Sequence, residues 1–549
     1  MILNDSTKLM LGDREVIARY QGDKQVWTAE TPTVYGWHID PSISNPAQAV
    51  TYLADAVGKT PAAMGASTFS YGDWADAFFM PKPCMLRSDG TVAYYLDPND
   101  YTQKLGTAAE KTSSAVPTVQ GNVYWNDGTA GEEPTYNSAD IRCRMSAPQA
   151  IPPHTSIEIT LSRSDVRTSC SITDSRGYYV QRKTSGWASS TTYKNTTDTT
   201  KYILGSFAFS DPTLPITPAD FTVTMTSEPL NTDIANSSFD GNAMMEWPLI
   251  WYKFEAGTAD GEGYFYCSDQ QVDESYKCWC NVNSENEITE HFYTAIYNGT
   301  GISKMRSLSG YTLTNNNGMG SVSVTDELTR ARANNTTAAD EWYIDVWSDR
   351  QLISALLVLM GKSLDVQSVF GKGQINGGET AQQNVTTGAL DDKGLFYGST
   401  TDGTIPIKVF GMENWWGTTA RMTAGLIGAS DGYLYKLTYG TADGSIATGY
   451  NNTGTGYKKK QMTRPSVSQG VITKMLFGEF GYLPMAAEGT DNVYYTDRYI
   501  SGDYYLIASD CHYSTAVGTF GMRFDVPPHQ GLWLYGASLS CKPLKKEET

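Results

Sequence analysis

The chain has 549 residues, with 41 Lys and Arg against 59 Asp and Glu, a net charge of −18. Its length suggests roughly three or four domains of about 150 residues each, and 40% hydrophobic with 12% aromatic residues is more than disordered chains carry. The acidic balance argues against nucleic acid or an anionic membrane as partner, because phosphate binding needs a basic face and no cationic run exceeds Lys458-Lys459-Lys460.

The first twenty residues place Asp5, Lys8, Asp13, Arg14 and Glu15 where an export signal would be apolar, so secretory export is not expected. Residues 1 to 31, with turn signals at Gly12-Asp13 and Gly22-Asp23, predict two or three small strands. A piece this short cannot build its own core and must dock on something else, which makes it a candidate attachment segment. Asn45 as N-cap, Pro46 at the first helical position, Val50, Leu53, Ala54 and Val57 at helical spacing and a closing Gly58 predict a helix. Residues 85 to 97 read as a hairpin turning at Asp89-Gly90.

From about 110 to 140, Thr, Ser, Gly, Asn and Glu mark a linker or boundary. The alternating segments at 157 to 161, 177 to 182, 202 to 209 and 221 to 225 suggest a β-sandwich. Residues 244 to 255 form an apolar strand-like run whose Pro248 belongs at a sheet edge or bend. A short helix is expected over 325 to 333, and a longer one from Ser348, with Ser348 and Gln351 as a capping box and Gly361 just past its end. That helix is apolar nearly all round and must be buried. Its run Leu352 to Met360 is far short of the roughly 18 residues a membrane span needs, so no membrane insertion is expected. From 362 onward, short strands and long loops rich in Gly, Asn, Thr and aromatics are expected, without a repeat.

The chemistry-bearing residues are sparse. Five histidines form no pair at ligand spacing, and no nucleophile elbow, P-loop or dinucleotide fingerprint occurs. Of eight cysteines, Cys267, Cys278 and Cys280 cluster, but a buried thiol pair accounts for them better than zinc. No metal site, cofactor or catalytic residue is assigned. Trp125-Asn126-Asp127 and Glu133-Pro134-Thr135 echo the calcium-binding triplets of sugar-binding C-type lectins in reversed order, which coincidence in a polar loop explains more readily. Asn195, Asn298 and Asn384 head glycosylation sequons and read as loop residues. The 35 tyrosines and 51 glycines suit either a binding surface or a turn-rich β protein. The aromatics between 491 and 541, interleaved with Asp, Arg, Ser and Thr, would stack on sugar faces or anchor protein contacts, or face a core at alternate strand positions.

Lys408-Val-Phe-Gly-Met-Glu-Asn-Trp-Trp-Gly417 resembles the GxENxWG stretch of bacteriophage structural proteins whose C-terminal domain has the C-type-lectin or formylglycine-generating-enzyme-like fold, often the variable proteins of diversity-generating retroelements. MLRSDGTVAYYLD at 85 to 97, EWPLIWYKFE at 246 to 255, KMRSLSG at 304 to 310, the 347 to 361 helix, Gly518-Thr-Phe520 and Gly536-Ala-Ser-Leu539 are similar to further family segments in the same order. The 1 to 31 segment resembles the short N-terminal module of phage tail and fibre proteins, and 141 to 227 a carbohydrate-binding-like β-sandwich insert. The family often shows Gly-Gly-x-Trp where Ser509-Asp510-Cys511-His512-Tyr513 stands. Formylglycine-generating enzymes use a reactive cysteine pair, for which Cys511 and Cys541 are the C-terminal candidates. No second signature accompanies them, so that activity is not implied.

The fold expected is α+β, strand- and loop-rich, in four parts: an attachment module at 1–33, the first part of a C-type-lectin-like region at 34–110, an inserted antiparallel β-sandwich at 111–240, and the C-type-lectin-like domain at 241–549. The resemblance implies a non-enzymatic virion protein, a tail or head fibre or spike assembled in the host cytoplasm and exposed on the particle surface. It would join other virion proteins through its N-terminus and bind a host-surface glycan or protein, as a homotrimer by fold-level analogy. The ligand surface it implies involves Asp510, His512, Tyr513, Met522, Arg523, Asp525, His529 and Trp533. The alternatives are a structural virion component without receptor binding, or a glycan-degrading enzyme.

Overall fold

The computed structural model describes residues 31–65, 68–106, 111–126, 128–182, 187–195, 197, 199–312, 323–336, 341–375, 385–428, 433–436, 457–461, 471–478, 481–488, 497–498, 504–508, 518–523 and 535–544, with four short strands within 9–28. Those four strands pair antiparallel two by two, Leu9–Leu11 with Arg14–Val16 and Ala18–Gln21 with Lys24–Thr28, while the two expected turn signals lie outside the described residues. Strands dominate the described residues, with three α-helices among them.

A seven-stranded antiparallel sheet is the frame. Its order is Asp100–Lys104, Val92–Asp97, Lys82–Arg87, Gly241–Pro248, His291–Ala295, Leu539–Cys541 and Trp342–Ile344. Segments more than 150 residues apart in sequence are therefore neighbours, as where Met85 lies opposite Ala243. The hairpin at 85 to 97 forms as expected, with Gly90 at φ 76° in its turn. Pro248 ends its strand, and the chain then turns into Trp251–Ala256, a strand of a different sheet, so the proline marks the corner.

The predicted helix after Asn45 is a strand. Asn45 does cap a turn, its Oδ1 accepting from Ala47 N at 3.0 Å and Gln48 N at 3.2 Å. Val50–Ala54 then pairs with Val34–Ile39. Val50 and Tyr52 point into the core while Thr51 faces solvent, and Val57 is 68% exposed, so a period of two overrides the helical spacing. The pairing partner is what decides it: Val34–Ile39 is itself held by Gly263–Ser268, which leaves one edge open to receive the segment.

The stretch expected as linker carries short strands instead, among them Thr112–Val116 and Asn122–Tyr124. Thr112–Val116 is an edge strand, mostly exposed, where small hydroxyl residues suit a backbone paired on one side only. Residues 112 to 229 supply a four-stranded and a six-stranded antiparallel sheet. Ile157 and Ile159 from one and Cys170, Ile203 and Phe207 from the other close on a shared apolar core. Strands fall at all four alternating segments read from the sequence.

The short helix is Val324–Arg332, with Ser323 and Asp326 in a capping box. The long helix is Trp347–Gly361, and all fifteen of its residues are buried. Ser348 does not cap it. The cap is Val346, which lies in a parallel bridge to Ala424, with Ala424 N donating to Asp345 O at 2.8 Å. Backbone pairing before the helix thus sets its start, and Ser348 Oγ donates to Asp349 instead. Gly361 is the last helical residue and Lys362 takes the left-handed conformation, at φ 48°. The glycine serves close packing, since a Cβ there would lie 2.9 Å from Val369.

Removing the Leu356 side chain to Ala should lower the free energy of unfolding by about 2–5 kcal/mol, because the site is enclosed on every side. Val57→Ala, at an exposed position, should change it by less than about 0.5 kcal/mol. Urea unfolding of both variants measures the contrast.

Candidate functional site

The Lys408 to Gly417 stretch is buried throughout. Its charged residues do not point at solvent. Glu413 accepts from Gly388 N at 2.9 Å and Leu390 N at 2.8 Å, and Lys408 donates to Leu390 O at 2.8 Å while its ammonium lies 3.6 Å from the Tyr101 ring centroid. One segment, 386 to 393, is therefore clamped by two buried side chains of opposite charge. Asp391 in that segment accepts from Tyr297 OH at 2.5 Å and Ser309 Oγ at 2.8 Å. Burial, with the Asp391 carboxylate next, pushes Glu413 up to about 7. Burial likewise pulls Lys408 down to about 8 against the attraction of Glu413 and Asp391. Groups so perturbed beside a cleft are where function is sought, although a structural clamp perturbs them equally.

A second buried network lies behind the first. Arg421 Nη1 is 3.5 Å from Asp345, and Arg421 Nη2 donates to Glu413 O at 2.7 Å. The Arg350 guanidinium stacks on Trp415 at 4.4 Å. Lys542 Nζ donates to Asp349 at 2.8 Å and Ser540 Oγ to its other oxygen at 2.9 Å, which locks the strand Leu539–Cys541 to the start of the long helix.

The clamped segment forms one wall of a cleft of about 610 Å³. The opposite wall is the outer face of the sandwich's four-stranded sheet, where Thr192, Glu158 and Thr226 stand in register on adjacent strands. Sequence reasoning missed this cleft, since its residues come from segments far apart. The Lys408 to Gly417 stretch, which the sequence singled out, holds the wall from behind and does not itself line the cleft. A hollow of about 670 Å³ beside Tyr35, Lys59 and Asp73 has the Lys59 and Asp73 side chains already engaged. There Lys59 lies over the Tyr35 and Trp74 rings, and Asp73 accepts from Thr60 N at 2.7 Å.

Of the ligand-surface residues read from the sequence, Asp510, His512, Tyr513, Asp525, His529 and Trp533 lie outside the described residues. Met522 and Arg523 form a short strand pairing with Tyr504–Ala508, the neighbour of Ala420–Gly428. Met522 is buried, packed with Trp347, Leu426 and Leu483, a scaffold position rather than a presented one. Tyr535 is buried as well.

The calcium-like triplets hold a turn. Glu132 accepts backbone N–H groups from Asn126, Gly128 and Thr129, and Glu133 accepts from Tyr178 OH at 2.8 Å, so both carboxylates face donors. Asn195 donates to three backbone carbonyls and Asn298 to Thr419, both fully buried, while Asn384 lies outside the described residues. Cys267, Cys278 and Cys280 are buried free thiols, and no cluster of potential metal ligands occurs among the described residues. Burial, with Glu341 near, holds the Cys541 thiol well above its usual range, the opposite of what a reactive cysteine needs. Cys511 lies outside the described residues.

No protein-family description matches the chain. No curated protein is significantly similar to it.

Glu413 is protonated more readily in the fold than in the unfolded chain, so its contribution to stability is full below about pH 4.5 and is lost as pH rises through about 7. Relative to Glu413→Gln, the wild type should therefore lose on the order of 1–3 kcal/mol between those values and stay level from there to about pH 8. Chemical denaturation of both proteins across that range checks this.

Proposed function

We propose that this chain is a bacteriophage virion protein, a fibre or spike component that binds a host-surface glycan or protein and is not an enzyme. In this reading residues 34–110 and 241–549 form a C-type-lectin-like unit interrupted by the sandwich, and the 1–33 module docks on other virion proteins. The chain works as a homotrimer exposed on the particle, where repeated weak sites multiply affinity. Its receptor surface is the 510 to 535 region, with Asp510, His512, Tyr513, Arg523, Asp525, His529 and Trp533.

The observation that supports the reading is where the family-like stretches meet. The hairpin at 85 to 97, the start of the 246 to 255 stretch and the strand that begins at Leu539 share one sheet, joined through His291–Ala295. The Lys408 to Gly417 stretch lies buried beside it, with Glu413 N donating to Ile296 O at 2.8 Å. The Trp415 and Trp416 rings of that stretch are both buried. Trp416 Nε1 donates to Gly371 O at 3.1 Å, and Trp415 is covered by Arg350.

Purified, labelled full-length protein should bind a panel of bacterial strains selectively. Combined His512→Ala, Tyr513→Ala and Trp533→Ala should weaken that binding by about tenfold or more at unchanged melting temperature. A folded wild-type protein that binds no strain, or a triple variant that binds as well as wild type, would overturn the reading.

A further inference from the structure

The cleft between the sandwich and the 386 to 393 segment has the make-up of a ligand site. Its volume, about 610 Å³, falls within the roughly 300–1,000 Å³ of small-molecule sites. Its floor is a polar ladder. Thr192, Glu158 and Thr226 occupy one register row across three strands, and the hydroxyls of Ser113 and Thr226, 2.9 Å apart, extend that row to the edge strand. Lys194, Ser156 and Glu228 form the next row on the same face. Adjacent strands are about 4.8 Å apart, so the floor offers donors and acceptors at a regular spacing across the strands.

The opposite wall is rigid. Glu413 and Lys408 hold the backbone of 388 to 390 from behind, Asp391 is fixed by Tyr297 and Ser309, and Thr387 Oγ1 donates to Leu308 O at 2.7 Å. A wall so anchored needs no ordering when a ligand arrives.

Charge selects the ligand class. The lysines around the cleft each face a carboxylate: Lys194 is 3.7 Å from Asp100, Lys111 is 3.3 Å from Glu228, and Lys393 is 3.4 Å from Asp392. Glu158 is exposed and forms no ion pair among the described residues. Among the described residues no lysine of the cleft is without a facing carboxylate to meet a phosphate, sulfate or uronate, whereas hydroxyls and a free carboxylate suit a polyhydroxylated, uncharged chain.

We propose that this cleft is a second binding site, taking an uncharged oligosaccharide between the sandwich floor and the 386 to 393 wall and built from residues other than those of the 510 to 535 stretch. It rests on the reading of the chain as a receptor-binding protein only in supposing that the sugar belongs to a cell surface.

The test uses full-length protein on a printed array of defined bacterial oligosaccharides, uncharged and anionic. Thr192→Trp fills the cleft from an exposed position, Glu158→Gln removes its free charge, and the His512, Tyr513 and Trp533 triple alanine variant changes none of the described residues that line the cleft. Uncharged oligosaccharides should bind the wild type in preference to anionic ones. Thr192→Trp should lose about tenfold or more of that signal and Glu158→Gln several-fold, with the triple variant unchanged. The proposal falls if no uncharged oligosaccharide binds, if anionic ones are preferred, or if Thr192→Trp binds as wild type does. Strain binding that survives Thr192→Trp with no array signal would remove the cleft site and leave the receptor reading standing.

Discussion

A fifteen-residue helix with no exposed residue obliges the rest of the chain to enclose it. Such a helix has no polar face to turn outward, and each leucine left in water would forfeit roughly 1.5–3 kcal/mol. The structure meets this demand with elements from the whole sequence. Trp37 donates its ring N–H to Ala355 O at 3.0 Å, Ala62 N donates to Met360 O at 2.8 Å, and Ser354 bonds Thr519. Residues near 40, 60 and 519 thus converge on one helix, and no shorter piece of the chain would cover it.

That enclosure explains the buried charges. The first turn of the helix carries Asp349 and Arg350, which leave water along with the apolar residues beyond them. Each is answered, Asp349 by Lys542 and Ser540 and Arg350 by the Trp415 ring. Buried pairs of this kind contribute little net stability, but breaking one leaves a charge stranded at a cost of about 3–5 kcal/mol. Their effect is to fix register: the strand Leu539–Cys541 and the Lys408 to Gly417 stretch each have one place where the charges match. The same stretch clamps the 386 to 393 segment, so the wall of the cleft is held by the core.

Much of the fold was legible where a single segment carries its own signal. The hairpin at Asp89-Gly90, the helix beginning after Ser323, the buried helix and the alternating strands of the sandwich depend on local spacing and turn chemistry, which one sequence contains. The misreadings share a cause. Asn45 is a good cap and Val50, Leu53, Ala54 and Val57 are well spaced, yet an open sheet edge took Val50–Ala54 as a paired strand and gave Tyr52 a place to bury. Ser348 and Gln351 match a capping box, yet the bridge between Val346 and Ala424 had already set where the helix begins. The cleft was invisible because Glu158, Thr192, Thr226 and Asp391 have no mutual spacing until the strands pair and the loop is clamped.

By itself the sequence determined the strand-rich class, the burial of the long helix and the acidic charge balance. Each of these follows from residue type and period alone. Tertiary structure alone decided that the Lys408 to Gly417 stretch is an internal clamp, that Met522 is scaffold, that the polar segment near 112 is an edge strand, and that hydroxyls and a carboxylate from three strands face a fixed loop. Those outcomes depend on which distant backbone groups pair and which charges meet after water has been excluded. That is a property of the assembled core, and no window of the sequence contains it.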